Sequence, residues 1–285
     1  MNAIILAAGT SSRFVPLSFE YPKGLLEVRN EILIERQIRQ LKEAGISEIT
    51  VILGYKAELF GYLRNKFGVS IVYNEDYSRY NNSSSIYRVL DLLGNTFICC
   101  SDHYYVKNVF FDQEENSYYA VQYSEGPTTE WCVKTDDSGR ICKIDVGGRD
   151  AWYLSGHAFF NEDFSDGFRT VFLSEYADEN VRLGYWEDVF VRHIRGLNMI
   201  AKHYSREDFY EFDSLDELRL FDSSYLEDTR STIIKAIASS LSCKESELHS
   251  FIKADRETGD FYFDYKNEHY LYERSSARVS KRDIS

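Results

Sequence analysis

Ala3-Ile-Ile-Leu-Ala-Ala-Gly-Thr-Ser-Ser-Arg-Phe-Val-Pro-Leu-Ser-Phe-Glu-Tyr-Pro-Lys-Gly-Leu-Leu26 is an apolar strand that runs straight into a loop of small residues carrying one arginine and one lysine. Residues Ala3 to Ala7 are short, continuous and apolar, the mark of a strand buried in a parallel sheet. From the end of that run, Ala7, Ala8, Gly9, Thr10, Ser11 and Ser12 have side chains small enough for backbone N–H groups to approach an anion closely. Arg13 and Lys23 add fixed positive charge. The layout is that of a nucleoside triphosphate site, with a plain strand-to-helix turn as the alternative. It is neither a P-loop, which ends in Gly-Lys-Ser/Thr, nor a Gly-x-Gly-x-x-Gly dinucleotide loop.

Downstream, strands and helices alternate. Ile32, Leu33, Gln37, Ile38, Leu41 and Ala44 mostly follow helical spacing, with Gly45 placed as a C-terminal cap. Ile49 to Leu53 reads as a strand, Lys56 to Phe67 as a helix ended by Gly68, and Val69 to Tyr73 as a strand. A helix over Ser85 to Leu93 leads to the strand Thr96 to Cys100. Such alternation predicts βαβ units and an α/β three-layer, Rossmann-like sheet, mainly parallel, with helices on both faces. Short aromatic or β-branched runs follow at Tyr118 to Ser124, Glu130 to Lys134, Ile141 to Val146 and Trp152 to Phe160, expected as antiparallel strands. A helix is expected near Phe164 to Ala177.

The chain divides, on this reading, into a catalytic domain, 1–227, and a small α+β appendage, 228–285. In the appendage Ile233, Ile234, Ile237 and Leu241 form a helical stripe, Ser242 with Glu245 suits a capping box, and Phe261 to Tyr265 and His269 to Tyr272 are β-like. Ser275 to Ser285 is expected to be a solvated, disordered end.

At 285 residues the chain is long enough for a core that needs no staples, and 44% hydrophobic with 28% charged residues describes a water-soluble protein. A net charge of −13 argues against nucleic acid or an anionic membrane surface as partner. Five cysteines without C-x-x-C spacing suggest reduced thiols in the cytoplasm. The apolar start lacks the basic leader of a signal peptide, and no run reaches membrane-spanning length.

Carboxylates come at informative places. Asp102 follows the apolar run Phe97 to Cys100, where ligands bind in open α/β sheets. Tyr210-Glu211-Phe212-Asp213-Ser214 brings a later acidic pair. Carboxylate oxygens suit Mg²⁺, although each aspartate alone fits a turn or helix cap equally well. Tyr80-Asn81-Asn82-Ser83-Ser84-Ser85 offers amides and hydroxyls able to read a base edge, or an Asx turn opening a helix. Glu130-Trp131 and Tyr185-Trp186-Glu187-Asp188 combine aromatic faces with carboxylates. That pairing suits a quaternary ammonium, which has no hydrogen to donate, though tryptophan is also common core filling.

Together these motifs resemble the sugar-nucleotidyltransferase superfamily, whose signature is Leu-Ala-Ala-Gly-x-Gly-x-Arg followed by Pro-Lys-x-Leu. Leu6-Ala7-Ala8-Gly9, Arg13, Pro16, Pro22, Lys23 and Leu25 match, while Ser11 stands where the second glycine is usual. Over about residues 1–225 the chain resembles the phosphocholine cytidylyltransferase branch. Asp102-His103-Tyr104 is similar to its Asp-Asn-Tyr sequence, with His103 in place of asparagine, and Glu211-Phe212-Asp213-Ser214 to its Glu-Ile-Asp-Ser sequence.

The resemblance implies a cytidylyltransferase that joins CTP and phosphocholine into CDP-choline and pyrophosphate. It implies Mg²⁺ on Asp102 and Asp213, Lys23 and Arg13 as catalytic cations, and nucleotide contacts from Leu6, Ala7, Ala8, Gly9, Thr10, Ser11, Asn82, Ser83 and Ser85. Glu130, Trp131, Tyr185, Trp186, Glu187 and Asp188 are implied for the acceptor. Phosphoethanolamine or 2-aminoethylphosphonate is the rival acceptor, since a primary ammonium would favour the carboxylates. A sugar 1-phosphate fits the aromatic segments poorly, and a silent nucleotide-binding scaffold fits the four charged residues poorly. The appendage loosely resembles the opening of choline-kinase-type domains, without room for a kinase site. Oligomeric state stays open, a homo-oligomer included.

Overall fold

The computed structural model describes residues 1–111, 116–255 and 258–282. In chain order its strands are β1 (Asn2–Ala7), β2 (Glu27–Val28), β3 (Glu31–Ile32), β4 (Glu48–Leu53), β5 (Ser70–Tyr73), β6 (Thr96–Cys100) and β7 (His103–Tyr105). Then come β8 (Tyr118–Thr135), β9 (Ile141–Phe160), β10 (Ile200–His203), β11 (Phe209–Glu211), β12 (His249–Lys253), β13 (Phe261–Tyr265), β14 (Glu268–Glu273) and β15 (Arg278–Arg282). Contacts group the chain into two units, Met1–Gly9 with Ile34–Glu211, and Thr10–Leu33 with Phe212–Ser285.

The first unit is built on a seven-stranded sheet of order β10-β8-β9-β6-β1-β4-β5. β1 pairs in parallel with β4 and β6, β4 with β5, and β10 with β8, whereas β9 runs antiparallel to β6 and β8. The expected mainly parallel α/β sheet is therefore present, with β9 as its antiparallel insertion. β1 is central and buried on both faces, which is why Ala3, Ile4 and Ile5 are all apolar. Helix Leu33–Glu43 buries Ile34, Gln37, Ile38 and Leu41, one stripe at helical spacing, and Gly45 takes φ +85° just beyond its end.

Several elements differ from expectation in extent. The four short central runs join into two long strands, β8 and β9. Pro127, which has no N–H, and Gly126 and Gly147, at positive φ, shift the register without ending the pairing. The stretch 56–67 splits into a 3₁₀ turn, Ala57–Phe60, and a helix, Tyr62–Phe67, which Gly68 ends. The helix expected from Ser85 starts earlier, at Asn82, because Asn81 caps it, its Oδ1 accepting from Asn82 N at 2.8 Å. Helix Glu162–Glu175 opens on Asn161, whose Oδ1 accepts from Phe164 N, and stacks Phe164, Phe168 and Phe172 into a core shared with Phe160, Trp186 and Phe190.

The second unit holds the antiparallel sheet β12-β13-β14-β15, with Phe261, Phe263 and Tyr265 of β13 buried and Tyr262 and Asp264 alternating outward. Helix Thr232–Leu241 buries Ile234, Ile237 and Ala238. Ser242 is its C-cap, at φ +51°, so it does not open the next turn. Lys244 N instead donates to Glu247 Oε2, and Glu245 accepts from Thr229 N. Arg278–Arg282, expected to be disordered, pairs with β14 as an edge strand, while 283–285 lie outside the described residues.

The unit boundaries differ from the expected 227/228 division because the early loop is stitched to the late chain. Arg29 N donates to Asp222 Oδ2 at 2.7 Å, Tyr225 Oη to Glu27 O at 2.7 Å, and Thr232 N to Glu20 Oε1 at 2.7 Å. Phe19 packs on Phe261 and under the Arg274 guanidinium. No helix among the described residues is long and apolar enough to cross a membrane, and all five cysteines are free.

Candidate active site

In the first unit, the candidate site gathers at the carboxyl end of β1. Leu6, Ala7 and Ala8 are buried, and Ala8 O accepts from Tyr55 N at 3.0 Å. A Cβ on Gly54 would meet Tyr77 Cβ at 2.6 Å and Ala8 O at 2.9 Å, so Gly54 is the residue that lets this loop lie close, a requirement the sequence reading missed. A Cβ on Gly9 would meet nothing within 4 Å, which leaves its backbone approachable.

β6 ends beside β1, with Ser101 N donating to Leu6 O, and Asp102 follows, partly exposed. His103 is buried, its Nδ1 3.3 Å from Asp102 Oδ1 and its Nε2 3.4 Å from Glu211 Oε2. Glu211 arrives there because β11 pairs antiparallel with β7 and sets it opposite His103. Burial pushes the imidazole down, but the two carboxylates outweigh it and raise the ring to about 10. The usual amide is thus replaced by an imidazole ring set between two carboxylates.

Asn82 starts its helix facing the later Tyr185-Trp186-Glu187-Asp188 segment, where its amide meets backbone and carboxylate. Trp186 N donates to Asn82 Oδ1 at 2.8 Å, and Asn82 Nδ2 donates to Glu187 Oε2 at 3.3 Å. Ser83 is fully buried, and Ser84 and Ser85 hydroxyls accept from Asn74 Nδ2 at 2.8 and 3.0 Å. The expected base-reading hydroxyls of Ser83 and Ser85 therefore lie inside the fold.

The acceptor segments divide in the same way. Trp186, expected on a receptor wall, is 2% exposed and stacks on Tyr119 at 5.7 Å, with Phe160 and Phe168 around it. Asp188, expected to meet the acceptor, accepts from Tyr185 N at 2.7 Å and opens helix Trp186–Arg192. Tyr185 is exposed and meets Trp131 edge to face at 5.9 Å, beside Glu130 on β8. Glu187 Oε1 accepts from Tyr119 Oη at 3.0 Å, and burial raises its carboxyl to about 7 despite the hydrogen bonds. Tyr119 was not singled out in the sequence; its alternation with buried Tyr118 and Ala120 along a strand was the available signal.

In the second unit, Ser11 holds φ +50°, the backbone region that explains a usual glycine there, and its carbonyl accepts from Phe14 N. Thr10 is exposed. Ser214 caps helix Leu215–Phe221, its Oγ accepting from Glu217 N, and Glu217 Oε2 accepts from Asp213 N, a reciprocal start that fixes the backbone at Asp213. That carboxylate lies 2.7 Å from Arg13 Nη1 and 3.4 Å from Lys23 Nζ; Lys23 is buried, Arg13 exposed. Among the described residues no three His, Cys, Asp or Glu side chains gather as a metal cluster. Asp102 in the first unit and Asp213 in the second each offer hard oxygen donors of the kind that suit Mg²⁺.

The strand, its small-residue loop and the cations that follow fit a nucleotidyltransferase, and similarity to known proteins places the chain in that class. Residues 3–119 match the MobA-like NTP transferase domain. The choline-phosphate cytidylyltransferase of Streptococcus pneumoniae is 35% identical over 219 residues, 77% of this chain and 96% of that protein. The 2-aminoethylphosphonate cytidylyltransferase of Lancefieldella rimae is 34% identical over 229 residues, 79% of this chain and 93% of that protein. The solved CTP:phosphocholine cytidylyltransferase of Streptococcus pneumoniae gives a TM-score of 0.75 at 34% identity, covering 78% of this chain and 98% of that one. The chain belongs to this cytidylyltransferase family.

Proposed function

We propose that the protein transfers CMP from CTP to phosphocholine, releasing CDP-choline and pyrophosphate, in the cytoplasm. The observation that carries this is Glu187, a carboxylate held by two neutral donors, on the same segment as the exposed Tyr185, which pairs with Trp131. Aromatic faces and an uncompensated carboxylate are what a cationic head group with no N–H needs.

The acceptor's ionised phosphate oxygen attacks the α-phosphorus of CTP as the bond to the β-phosphate oxygen breaks, so pyrophosphate takes the electron pair and no base is required. Lys23 stabilises the transferring phosphoryl group and Arg13 the departing pyrophosphate. The backbone of residues 6–11 cradles the triphosphate. Asp102 and Asp213 would hold Mg²⁺, which when bound neutralises phosphate charge.

The test is pyrophosphate release from CTP, with UTP as control, against phosphocholine, 2-aminoethylphosphonate, phosphoethanolamine and glucose 1-phosphate. Preference for phosphocholine upholds the reading. Preference for 2-aminoethylphosphonate, the second reading supported by the Lancefieldella relative, transfers recognition to the carboxylates. Asp102→Ala should abolish turnover in a folded protein.

A further inference from the structure

Asn82 looks by sequence like a base reader, yet its amide is engaged elsewhere. A backbone N–H only donates, so the 2.8 Å contact from Trp186 N fixes Asn82 Oδ1 toward it and turns Nδ2 toward Glu187. Next to it, Asn81 N donates to Arg182 O at 3.1 Å, so residues 81–82 and 182–187 are tied at several points. Tyr119 closes the arrangement: its ring stacks on Trp186 while its hydroxyl donates to Glu187 Oε1. Each Glu187 oxygen thereby accepts from a neutral donor, and among the described residues no lysine, arginine or histidine pairs with it.

We propose that Asn82 and Tyr119 are positioning residues for acceptor recognition: together they hold the Glu187 carboxylate in place for the cationic end of the acceptor, and Asn82 serves this in place of reading the nucleotide base. The inference rests on the reading that the acceptor carries a cationic amine. The physical logic is that neutral donors fix the carboxylate and favour its ionised form without cancelling its charge, where a lysine or arginine partner would have cancelled it. Burial makes that charge costly, and a cationic ligand relieves the cost, which favours cationic acceptors over neutral ones. Tyr119 itself stays a neutral donor, since burial pushes its hydroxyl well above the usual range.

The experiment is steady-state kinetics on the full chain, varying CTP and acceptor separately, for wild type, Tyr119→Phe and Asn82→Ala, with thermal melts of all three. Tyr119→Phe keeps the ring on Trp186 and removes one hydrogen bond to a charged group, so its acceptor KM should rise about tenfold while its CTP KM stays within about twofold. Asn82→Ala should show the same split, and Tyr119→Phe carries the test alone if Asn82→Ala melts at assay temperature. A raised CTP KM in Asn82→Ala with the acceptor KM unmoved overturns the inference, as does a Tyr119→Phe enzyme with an unmoved acceptor KM. When wild type uses a cationic acceptor, such a result removes the inference and leaves the function standing. A wild type that ignores every cationic acceptor removes both.

Discussion

The Arg13 guanidinium lies 2.7 Å from the Asp213 carboxylate, so a proposed triphosphate cation and a proposed metal ligand pair with one another. Arg13 is 73% exposed in this pair and solvent screens it, so the contact adds little to stability. Arg13→Ala should leave the melting midpoint almost unchanged, within about 0.5 kcal/mol of stability, while lowering kcat/KM for CTP at least about tenfold. Melts alongside pyrophosphate-release kinetics check both halves.

Trp186 and Tyr185 are neighbours with opposite fates. Trp186→Ala should destabilise the fold by about 3 to 5 kcal/mol, as expected for an aromatic removed from a packed core. Tyr185→Ala and Trp131→Ala should hardly change stability yet raise the phosphocholine KM. Urea unfolding of the three variants separates packing from recognition, and a stable Trp186→Ala protein would contradict the core assignment.

Acceptor binding should follow the ionisation of Glu187. Burial raises its carboxyl from 4.5 to about 7, with Asp188 adding repulsion and the Asn82 and Tyr119 hydrogen bonds opposing the rise. The phosphocholine KM should therefore fall as pH climbs through about 7, and Glu187→Gln should flatten that profile. Because the folded-state value is the higher one, the same group's contribution to stability is full below 4.5 and is lost as pH rises through about 7. Phosphocholine KM measured from pH 6 to about 8.5 tests this.

Acid should act through His157. It is buried between Tyr118 Oη, 3.2 Å from Nε2, and Tyr105 Oη, 3.5 Å from Nδ1. Burial first, then the charges of His103 and Lys202, lower it from 6.5 to about 3. The unfolded chain thus binds a proton that the folded one excludes, so this group's contribution is full above 6.5 and is lost progressively as pH falls toward about 3. Denaturant melts at pH 7, 5.5 and 4.5 should show a shallower decline for His157→Phe than for wild type.

The sheet was readable because β1, β4 and β6 are mostly apolar and because Gly45 and Gly68 stop their helices at positive φ. β8 and β9 were read as four pieces because Gly126, Pro127 and Gly147 look like chain breaks locally, although here they only shift register. The cations of the first loop were legible from residue type and spacing. The partition of Tyr185-Trp186-Glu187-Asp188 into surface, core, carboxylate and helix cap was not, since it depends on Tyr119 and Phe160, far away in sequence. Nor did adjacency to Asp102 reveal that Glu211 would sit across a strand pair from His103.

Glu20 and Thr232, Arg29 and Asp222, Glu27 and Tyr225 are each roughly 200 positions apart, yet they fasten the segment that carries Arg13 and Lys23. On the ribosome, that segment emerges roughly 200 residues ahead of its fasteners. The loop with the signature residues therefore settles only after residue 232 has been made, and a chain stalled short of Thr232 carries its full signature motif but cannot make the Glu20 contact that helps hold it.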